Sequence, residues 1–124
     1  MWLLSFVEQY LQNRFTKKTD FDSNLRHFCK DHKIQYQSFW TLTANVRALE
    51  TEKVGELAKA KELTPQTYMY AFLMSLGYVT PLSGTTDQRH MKEDVATMAK
   101  LQGGYILFTE DEQKYMAKLL EMKL

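Results

Sequence analysis

The residues that could do chemistry are concentrated in one short segment. Ser83-Gly84-Thr85-Thr86 is a small, glycine-containing run between an apolar stretch and a helix predicted to begin near Asp87. Free backbone N–H groups and hydroxyls at a helix N-terminus suit an anion such as phosphate, and the helix dipole favours negative charge there. A tight strand-to-helix turn is the favoured interpretation from the run alone, because such turns are common in α/β units. It matches neither a Walker A motif nor a Gly-x-Gly-x-x-Gly motif.

Three polar side chains with chemical potential follow within one turn of that helix. His90 lies three residues before Glu93 and four before Asp94, so all three lie near one face. They could share a metal ion, but no other histidine or cysteine lies in this segment. A solvated polar helix face is the favoured interpretation. Contact with the edge of a nucleotide is a third.

No other residue set predicts catalysis. The single cysteine, Cys29, lies at helical spacing from Leu25 and Phe28, which predicts a small buried hydrophobic residue rather than a nucleophile. The sequence contains no Gly-x-Ser-x-Gly elbow. The acidic clusters 20–22 and 110–112 lie at predicted helix starts, where capping and the helix dipole account for them.

Length and charge limit the class of protein. The chain has 124 residues, enough for one domain, and 16 basic residues against 15 acidic ones leave a net charge of +1. This balance predicts neither nucleic-acid nor membrane binding. The apolar start, residues 1–7, has no basic region or small-residue cleavage site and predicts no signal peptide. With one cysteine and no long apolar run, a cytoplasmic protein is expected.

In the first half of the chain, hydrophobic spacing predicts a helix, a second helix and a strand. Residues 3–11 show helical periodicity, and residues 24–31 form a helix that Asp22 or Ser23 caps. Residues 34–42 are predicted to form a strand, because Ile34 and Tyr36 alternate with Gln35 and Gln37 and the segment contains β-branched and aromatic residues.

The second half predicts helices separated by one strand. Helices are expected over residues 50–61 and from Thr64-Pro65 to Gly77, followed by a strand over residues 78–82. A helix from Asp87 to about residue 100 directs Met91, Val95 and Met98 inward. A capping box over residues 109–112 begins the last helix. Alternating helices and strands imply an α/β fold with a parallel sheet.

Four sequence blocks resemble the aldo-keto reductase family, in the order and spacing of that family and from about Gln12 to the end. The blocks are Gln12-Asn13-Arg14-Phe15, Leu25-Arg26-x-Phe28-Cys29, Ile34-x-Tyr36-Gln37-Ser38-Phe39-Trp40-Thr41-Leu42-Thr43-Ala44-Asn45 and Gly84-Thr85-Thr86-x-x-x-His90-Met91-x-Glu93-Asp94. The long strand block is the most specific of the four.

The resemblance implies a partial TIM (β/α)₈ barrel as one partial domain over residues 1–124. About three parallel strands with flanking helices would correspond to the C-terminal half of the barrel. In the family, residues near 10–14 form a strand, whereas periodicity alone favours a helix there. Strand edges exposed near Gln12 and Leu82 are expected, because a partial barrel lacks the neighbouring strands.

The resemblance also implies binding of NADPH across the carboxyl ends of these strands. Gln12 would contact the nicotinamide carboxamide, Phe39 would stack on the nicotinamide ring, and residues 40–43 (Trp40, Thr41 and Thr43 among them) would run beside the pyrophosphate. The adenosine 2′-phosphate and the adenine would lie against Gly84, Thr85, Thr86, His90, Glu93 and Asp94. Gly84 and His90 stand where many family members have Lys and Arg, so NADH remains an alternative cofactor.

The catalytic Asp, Tyr, Lys and His of the family come from strand-helix units that none of these blocks matches. The expected protein is therefore a truncated oxidoreductase, an NADP(H)-binding piece that does not reduce carbonyl compounds alone. The alternative is a nucleotide-binding or partner-binding module without catalysis. Its partner would be a second copy or a complementary N-terminal half.

Overall fold

A three-stranded parallel sheet organises the chain, whose computed structural model describes residues 10–124. The strands lie side by side in chain order, β1 (Tyr10–Arg14), β2 (Gln35–Phe39) and β3 (Val79–Pro81). In the register, Arg14 of β1 lies beside Phe39 of β2. Within the described residues, β1 and β3 each keep one unpaired edge, and the sheet does not close.

Helices fill every connection, because parallel strands need a crossover between them. One helix, α1, joins β1 to β2, three join β2 to β3, and two follow β3. They are α1 (Ser23–Asp31), α2 (Val46–Leu49), α3 (Glu52–Ala60), α4 (Pro65–Ser75), α5 (Gln88–Gln102) and α6 (Glu110–Leu120). The predicted α/β class with three parallel strands and flanking helices is confirmed.

The first strand corrects the periodicity-based prediction of a helix over residues 3–11. Tyr10 and Leu11 belong to β1, as the family resemblance implied, and residues 3–9 lie outside the described residues. Tyr10 and Leu11 pair with Gln35 and Tyr36 of β2. Pairing with a neighbouring strand is a tertiary interaction, which helical spacing in one segment does not reveal.

Other boundaries differ from the predicted ones for local reasons. β2 ends at Phe39 rather than residue 42, because Trp40 adopts a left-handed backbone with φ 59°. The helix predicted over residues 50–61 is α3, which begins at Glu52 after the extended backbone of Thr51 and ends at Ala60, and a separate short helix, α2, precedes it.

Helix α4 forms the centre of the core. Thr64 accepts a hydrogen bond from the Thr67 amide (3.2 Å) and Pro65 begins the helix, as predicted. Gly77 follows the helix with a φ of +89°, a conformation that glycine adopts without strain. The consecutive buried residues of α4 are Thr67, Tyr68, Met69, Tyr70, Ala71, Phe72 and Leu73. No helix within residues 10–124 is both long and apolar enough to cross a bilayer.

Helix α1 is present, but the prediction that Asp22 or Ser23 caps it is wrong. Asp22 has a left-handed backbone, and its carboxylate accepts a hydrogen bond from the distant Tyr36 hydroxyl (2.6 Å) instead. Cys29 is buried as predicted, and burial raises the pKa of its thiol. Phe28 is half exposed, whereas the predicted apolar face placed it in the core.

Arg26 is the charged residue that α1 buries. Its guanidinium donates hydrogen bonds to the carbonyls of Phe21 and Lys123 (both 2.6 Å) and to the Tyr78 hydroxyl (3.0 Å). These bonds satisfy a cation with no water contact and tie the end of the chain to α1.

Helix α5 contradicts its predicted orientation. Met91, Val95 and Met98 are 44%, 62% and 39% exposed, and Thr97 is the buried residue of this helix. The face that packs against α4 is not the most apolar one. We call this exposed row, Met91, Val95 and Met98, the α5 stripe.

The capping box predicted before α6 forms only in part. The Glu112 amide donates to the Thr109 hydroxyl (3.1 Å), as expected. The Glu112 carboxylate pairs with Lys61 Nζ (3.0 Å) instead of returning to the Thr109 backbone. This half-buried pair links α6 to the end of α3.

Candidate functional site

A cleft of about 530 Å³ lies where β2 and β3 end, which we call the site cleft. Its walls are residues 39–43 after β2, residues 82–85 after β3, the first turn of α4 and the start of α5. Parallel sheets and barrels place their ligand sites at this carboxyl end of the strands. The volume is in the range of small-molecule sites.

Most residues predicted for the site lie together in this cleft. Those that line it are Phe39, Trp40, Thr41, Thr43, Gly84, Thr85, His90, Glu93 and Asp94. Gln12 and Thr86 do not line it. Gln12 lies mid-strand in β1, exposed and paired with Gln37, and Thr86 is exposed in the loop before α5.

The wall that follows β2 is held in place by side-chain hydrogen bonds. Thr41 is buried and shares a hydrogen bond with the Ser38 hydroxyl (2.9 Å). The Asn45 amide donates to the carbonyls of Thr41 (2.8 Å) and Phe15 (3.2 Å), which links this wall to the end of β1. The wall is therefore formed before any ligand binds.

Trp40 presents an aromatic surface at the rim of this wall. Its left-handed backbone leaves the indole 53% exposed. The Arg14 guanidinium lies 4.4 Å from the centre of the indole ring. The Phe39 and Trp40 rings are nearly perpendicular, with their centroids 6.4 Å apart. Cation–π contacts of this kind order an exposed arginine and tryptophan together.

The start of α5 is less open to an anion than the sequence predicts. Asp87 caps the helix, and its carboxylate accepts hydrogen bonds from the amides of Arg89 (2.7 Å) and His90 (3.4 Å). These bonds lower the pKa of Asp87. Thr85 also uses its hydroxyl locally, as the acceptor for the Asp87 amide (3.1 Å). An anion here would rely on other donors of residues 83–86.

Acidic groups dominate the charge of the site cleft. Burial raises the pKa of Asp94, Glu93 raises it further, and the Ser83 side chain and His90 act in the opposite direction. Among the described residues that line the cleft there is no lysine or arginine. Residues 10–124 also contain no cluster of three potential metal ligands, so His90, Glu93 and Asp94 do not form one.

Helix α4 contributes residues that the sequence interpretation missed. Gln66, Thr67 and Tyr70 line the cleft from its first turns. Burial raises the pKa of Tyr70, and the nearby Ser83 side chain partly offsets this. The missed signal was a row of hydrogen-bonding side chains at the start of an otherwise apolar helix, where core packing alone does not need them.

Comparison with protein-family models gives no match, and comparison with curated proteins gives none either. Solved structures do match. An aldo-keto reductase from Klebsiella pneumoniae in complex with NADPH superposes with a TM-score of 0.71 at 13% identity, over 90% of this chain and 39% of that one.

Two further matches have the same character. The thermostable aldo-keto reductase Tm1743, solved with the inhibitor epalrestat, has a TM-score of 0.68 at 20% identity, over 89% of this chain and 39% of that one. Aldose reductase from Giardia lamblia has a TM-score of 0.61 at 12% identity, over 98% of this chain and 41% of that one.

These matches show the fold. The chain has the architecture of part of an aldo-keto reductase, three parallel strands with flanking helices in a sheet that stays open within residues 10–124. It spans about two fifths of the length of the structures it matches. The resemblance to the aldo-keto reductases seen in the sequence blocks is thereby confirmed for the fold.

Proposed function

We propose that the site cleft of this partial aldo-keto reductase fold binds a nicotinamide dinucleotide, NADP(H). The observation that carries the proposal is the meeting of residues 39–43, residues 83–85 and the start of α5 around one cleft at the carboxyl ends of the strands. A similarly folded reductase was solved with NADPH, which supports this choice of ligand.

The proposed roles follow the chemistry of each wall. Phe39 supplies a ring for the nicotinamide, and Trp40, Thr41 and Thr43 run beside the pyrophosphate. The wall formed after β3 and at the start of α5 binds the adenosine end; its residues are Gly84, Thr85, His90, Glu93 and Asp94. Thr86, outside the cleft lining, is assigned to the same end. Gln12, although outside the cleft, is assigned to the nicotinamide carboxamide. When bound, the cofactor supplies hydride.

The residues present fit the dinucleotide better than they fit its 2′-phosphate. The aromatic rim and the preformed wall suit the nicotinamide half. At the adenosine end, Asp87 already occupies two helix amides, and Glu93 and Asp94 add negative charge. We therefore include NADH as the alternative cofactor, because it lacks the 2′-phosphate.

We further propose that this chain alone does not reduce carbonyl compounds. Carbonyl reduction needs a proton donor beside the nicotinamide. The family resemblance implies that the donor comes from a strand-helix unit that none of the matching sequence blocks covers. In this proposal the donor is therefore supplied by another segment or chain, such as a complementary N-terminal half.

A fluorescence titration tests the binding proposal. The chain has two tryptophans, Trp2 and Trp40, so emission is followed as NADPH and NADH are added to the parent, Trp2→Phe and Trp40→Phe chains. Saturable quenching in the parent and in Trp2→Phe, lost in Trp40→Phe, is expected. Absence of quenching at millimolar concentrations of both cofactors would overturn the proposal. Steady oxidation of NADPH with a carbonyl substrate would overturn the inactivity of the chain alone.

A second candidate function, partner binding without catalysis, rests on a different observation. The α5 stripe is exposed, and β1 and β3 keep unpaired edges within residues 10–124. Such surfaces favour a second copy or a complementary barrel half. Concentration-dependent association in light scattering would support it. A strictly monomeric chain that binds no apolar dye would contradict it.

A further inference from the structure

The proposed ligand of the site cleft is an anion, but the charged lining of the cleft is mainly acidic. Its lining residues include Glu93 and Asp94 but, among those described, no lysine or arginine. A dinucleotide carries at least two negative charges on its diphosphate. Charge-assisted hydrogen bonds from a cation hold such a group more strongly than neutral hydrogen bonds do.

A cation stands at the rim of the cleft, outside its lining. Arg14 is the last residue of β1 and lies beside Phe39 in the register, so it is at the same end of the sheet as the cleft. Its guanidinium stacks on Trp40, which does line the cleft. Within residues 10–124 Arg14 forms neither an ion pair nor a side-chain hydrogen bond, although five such ion pairs exist elsewhere.

The guanidinium of Arg14 lies over the Trp40 ring, and no hydrogen bond or ion pair within residues 10–124 uses its N–H groups. A planar guanidinium on an aromatic face keeps its N–H groups in its own plane, where they can bind two phosphate oxygens at once. The hydrogen bonds of Asn45 hold the Trp40 wall against the end of β1, so the platform is rigid.

We infer that Arg14, stacked on Trp40, is the phosphate-binding group of the site cleft and receives the diphosphate of the bound dinucleotide. The inference rests on the proposed function for its ligand. Arg89 is the other nearby arginine, but it is exposed on α5 and does not line the cleft, so it serves at most the adenosine end.

Inorganic pyrophosphate tests the inference without the rest of the cofactor. In a Trp2→Phe background, the emission of Trp40 reports directly on its contact with Arg14. We expect a saturable change with pyrophosphate and an affinity at least about tenfold lower in Arg14→Gln. Arg14→Lys keeps the charge but loses the planar N–H groups of the guanidinium. Its affinity for pyrophosphate is expected to lie between those of the parent and Arg14→Gln.

The matched control is Lys30→Gln. Lys30 also lies over an aromatic ring, that of Tyr78 at 5.7 Å, but Tyr78 precedes β3 and is therefore at the opposite end of the sheet. This variant removes the same charge from the same kind of contact and is expected to leave the affinity unchanged. No response to pyrophosphate at tens of millimolar, or equal losses in Arg14→Gln and Lys30→Gln, would overturn the inference.

Titrations with NADH and NADPH separate this inference from the proposed function. Arg14→Gln is expected to weaken both cofactors by the same factor, because both carry the diphosphate. Dinucleotide binding that is indifferent to Arg14→Gln would overturn the inference and support the proposed function. Arg14-dependent pyrophosphate binding without dinucleotide binding would overturn the proposed function and support the phosphate-binding role.

Discussion

Helices α4 and α5 pack against each other but differ in how much of their surface is buried. Both begin with a side-chain cap, and both carry methionine and other apolar residues. In α4 a continuous run, residues 67–73, is buried. In α5 Thr97 is the buried residue, and the α5 stripe faces outward.

The difference comes from what lies on each side of the helix. Contacts surround α4 on several sides, from β3, α3 and α5. Helix α5 packs mainly against α4, and the α5 stripe is exposed. An apolar face is therefore evidence that a helix is suited to a contact, and the neighbours present decide whether the contact is made.

The largest predicted effect uses one residue type on both helices. Met69 of α4 is fully buried and Met91 of α5 is 44% exposed. We expect Met69→Ala to lower the free energy of unfolding by about 2–5 kcal/mol and Met91→Ala to change it by no more than about 0.5 kcal/mol. Urea denaturation measures both. Similar losses would mean that the α5 stripe is covered in solution.

The caps of the two helices give the next largest difference. Thr64→Ala removes the cap of α4, whose partner Thr67 is buried, and is expected to cost about 1 kcal/mol. Asp87→Ala frees the exposed amides of Arg89 and His90, which water can satisfy, so a smaller loss than for Thr64→Ala is expected. Urea denaturation again decides. A greater loss for Asp87→Ala would show that the start of α5 supports the whole fold.

A charge placed on the α5 stripe tests its exposure directly. We expect Val95→Lys to change the free energy of unfolding by at most about 0.5 kcal/mol, because Val95 is 62% exposed. Binding of an apolar dye and self-association are expected to fall, because the variant interrupts the exposed apolar row. Lys92→Gln, on the same helix, is the control that leaves the stripe intact. Unchanged dye binding in Val95→Lys would contradict the assignment of this surface.

The smallest effect is a pH dependence at the cleft side of α5. The pKa of Asp94 is raised in the folded chain, so the folded state binds its proton more tightly than the unfolded state. Its contribution to stability is complete below the ordinary carboxyl pKa of 3.8 and is lost as pH rises through the raised value. Asp94→Asn is therefore expected to remove the fall in stability that the parent shows as pH rises from 3.8 through the raised pKa. Parallel stability–pH curves for parent and variant would refute the shift.

The parts of the fold that sequence predicted correctly depend on nearby residues. The Thr64-Pro65 start of α4, the glycine after it and the Asp87 cap each involve groups within a few residues of one another. The cap assigned to Asp22 was wrong because Tyr36, fourteen residues away, takes its carboxylate. A competing partner at that separation leaves no trace in local spacing.

The site was predicted by resemblance more than by spacing. Local pattern selected the segment from Ser83 to Asp94, and the resemblance added Phe39 and its neighbours; the cleft brings both sets together. Tyr70 was missed because the apolar pattern of α4 predicts core packing for its residues and does not show which of them also line the cleft. The placement of Arg14 over Trp40 was missed because it joins two strands that lie far apart in sequence.

The sequence by itself determined which segments are helices, where several of them begin, and that they alternate with strands. These features depend on backbone hydrogen bonds and caps within one turn. The tertiary structure alone decided that the α5 stripe is exposed and that Trp40 meets Arg14, and it overruled the helical spacing at Tyr10 and Leu11. The hydrophobic effect has no direction of its own, so the choice of buried face belongs to whichever neighbours the fold supplies.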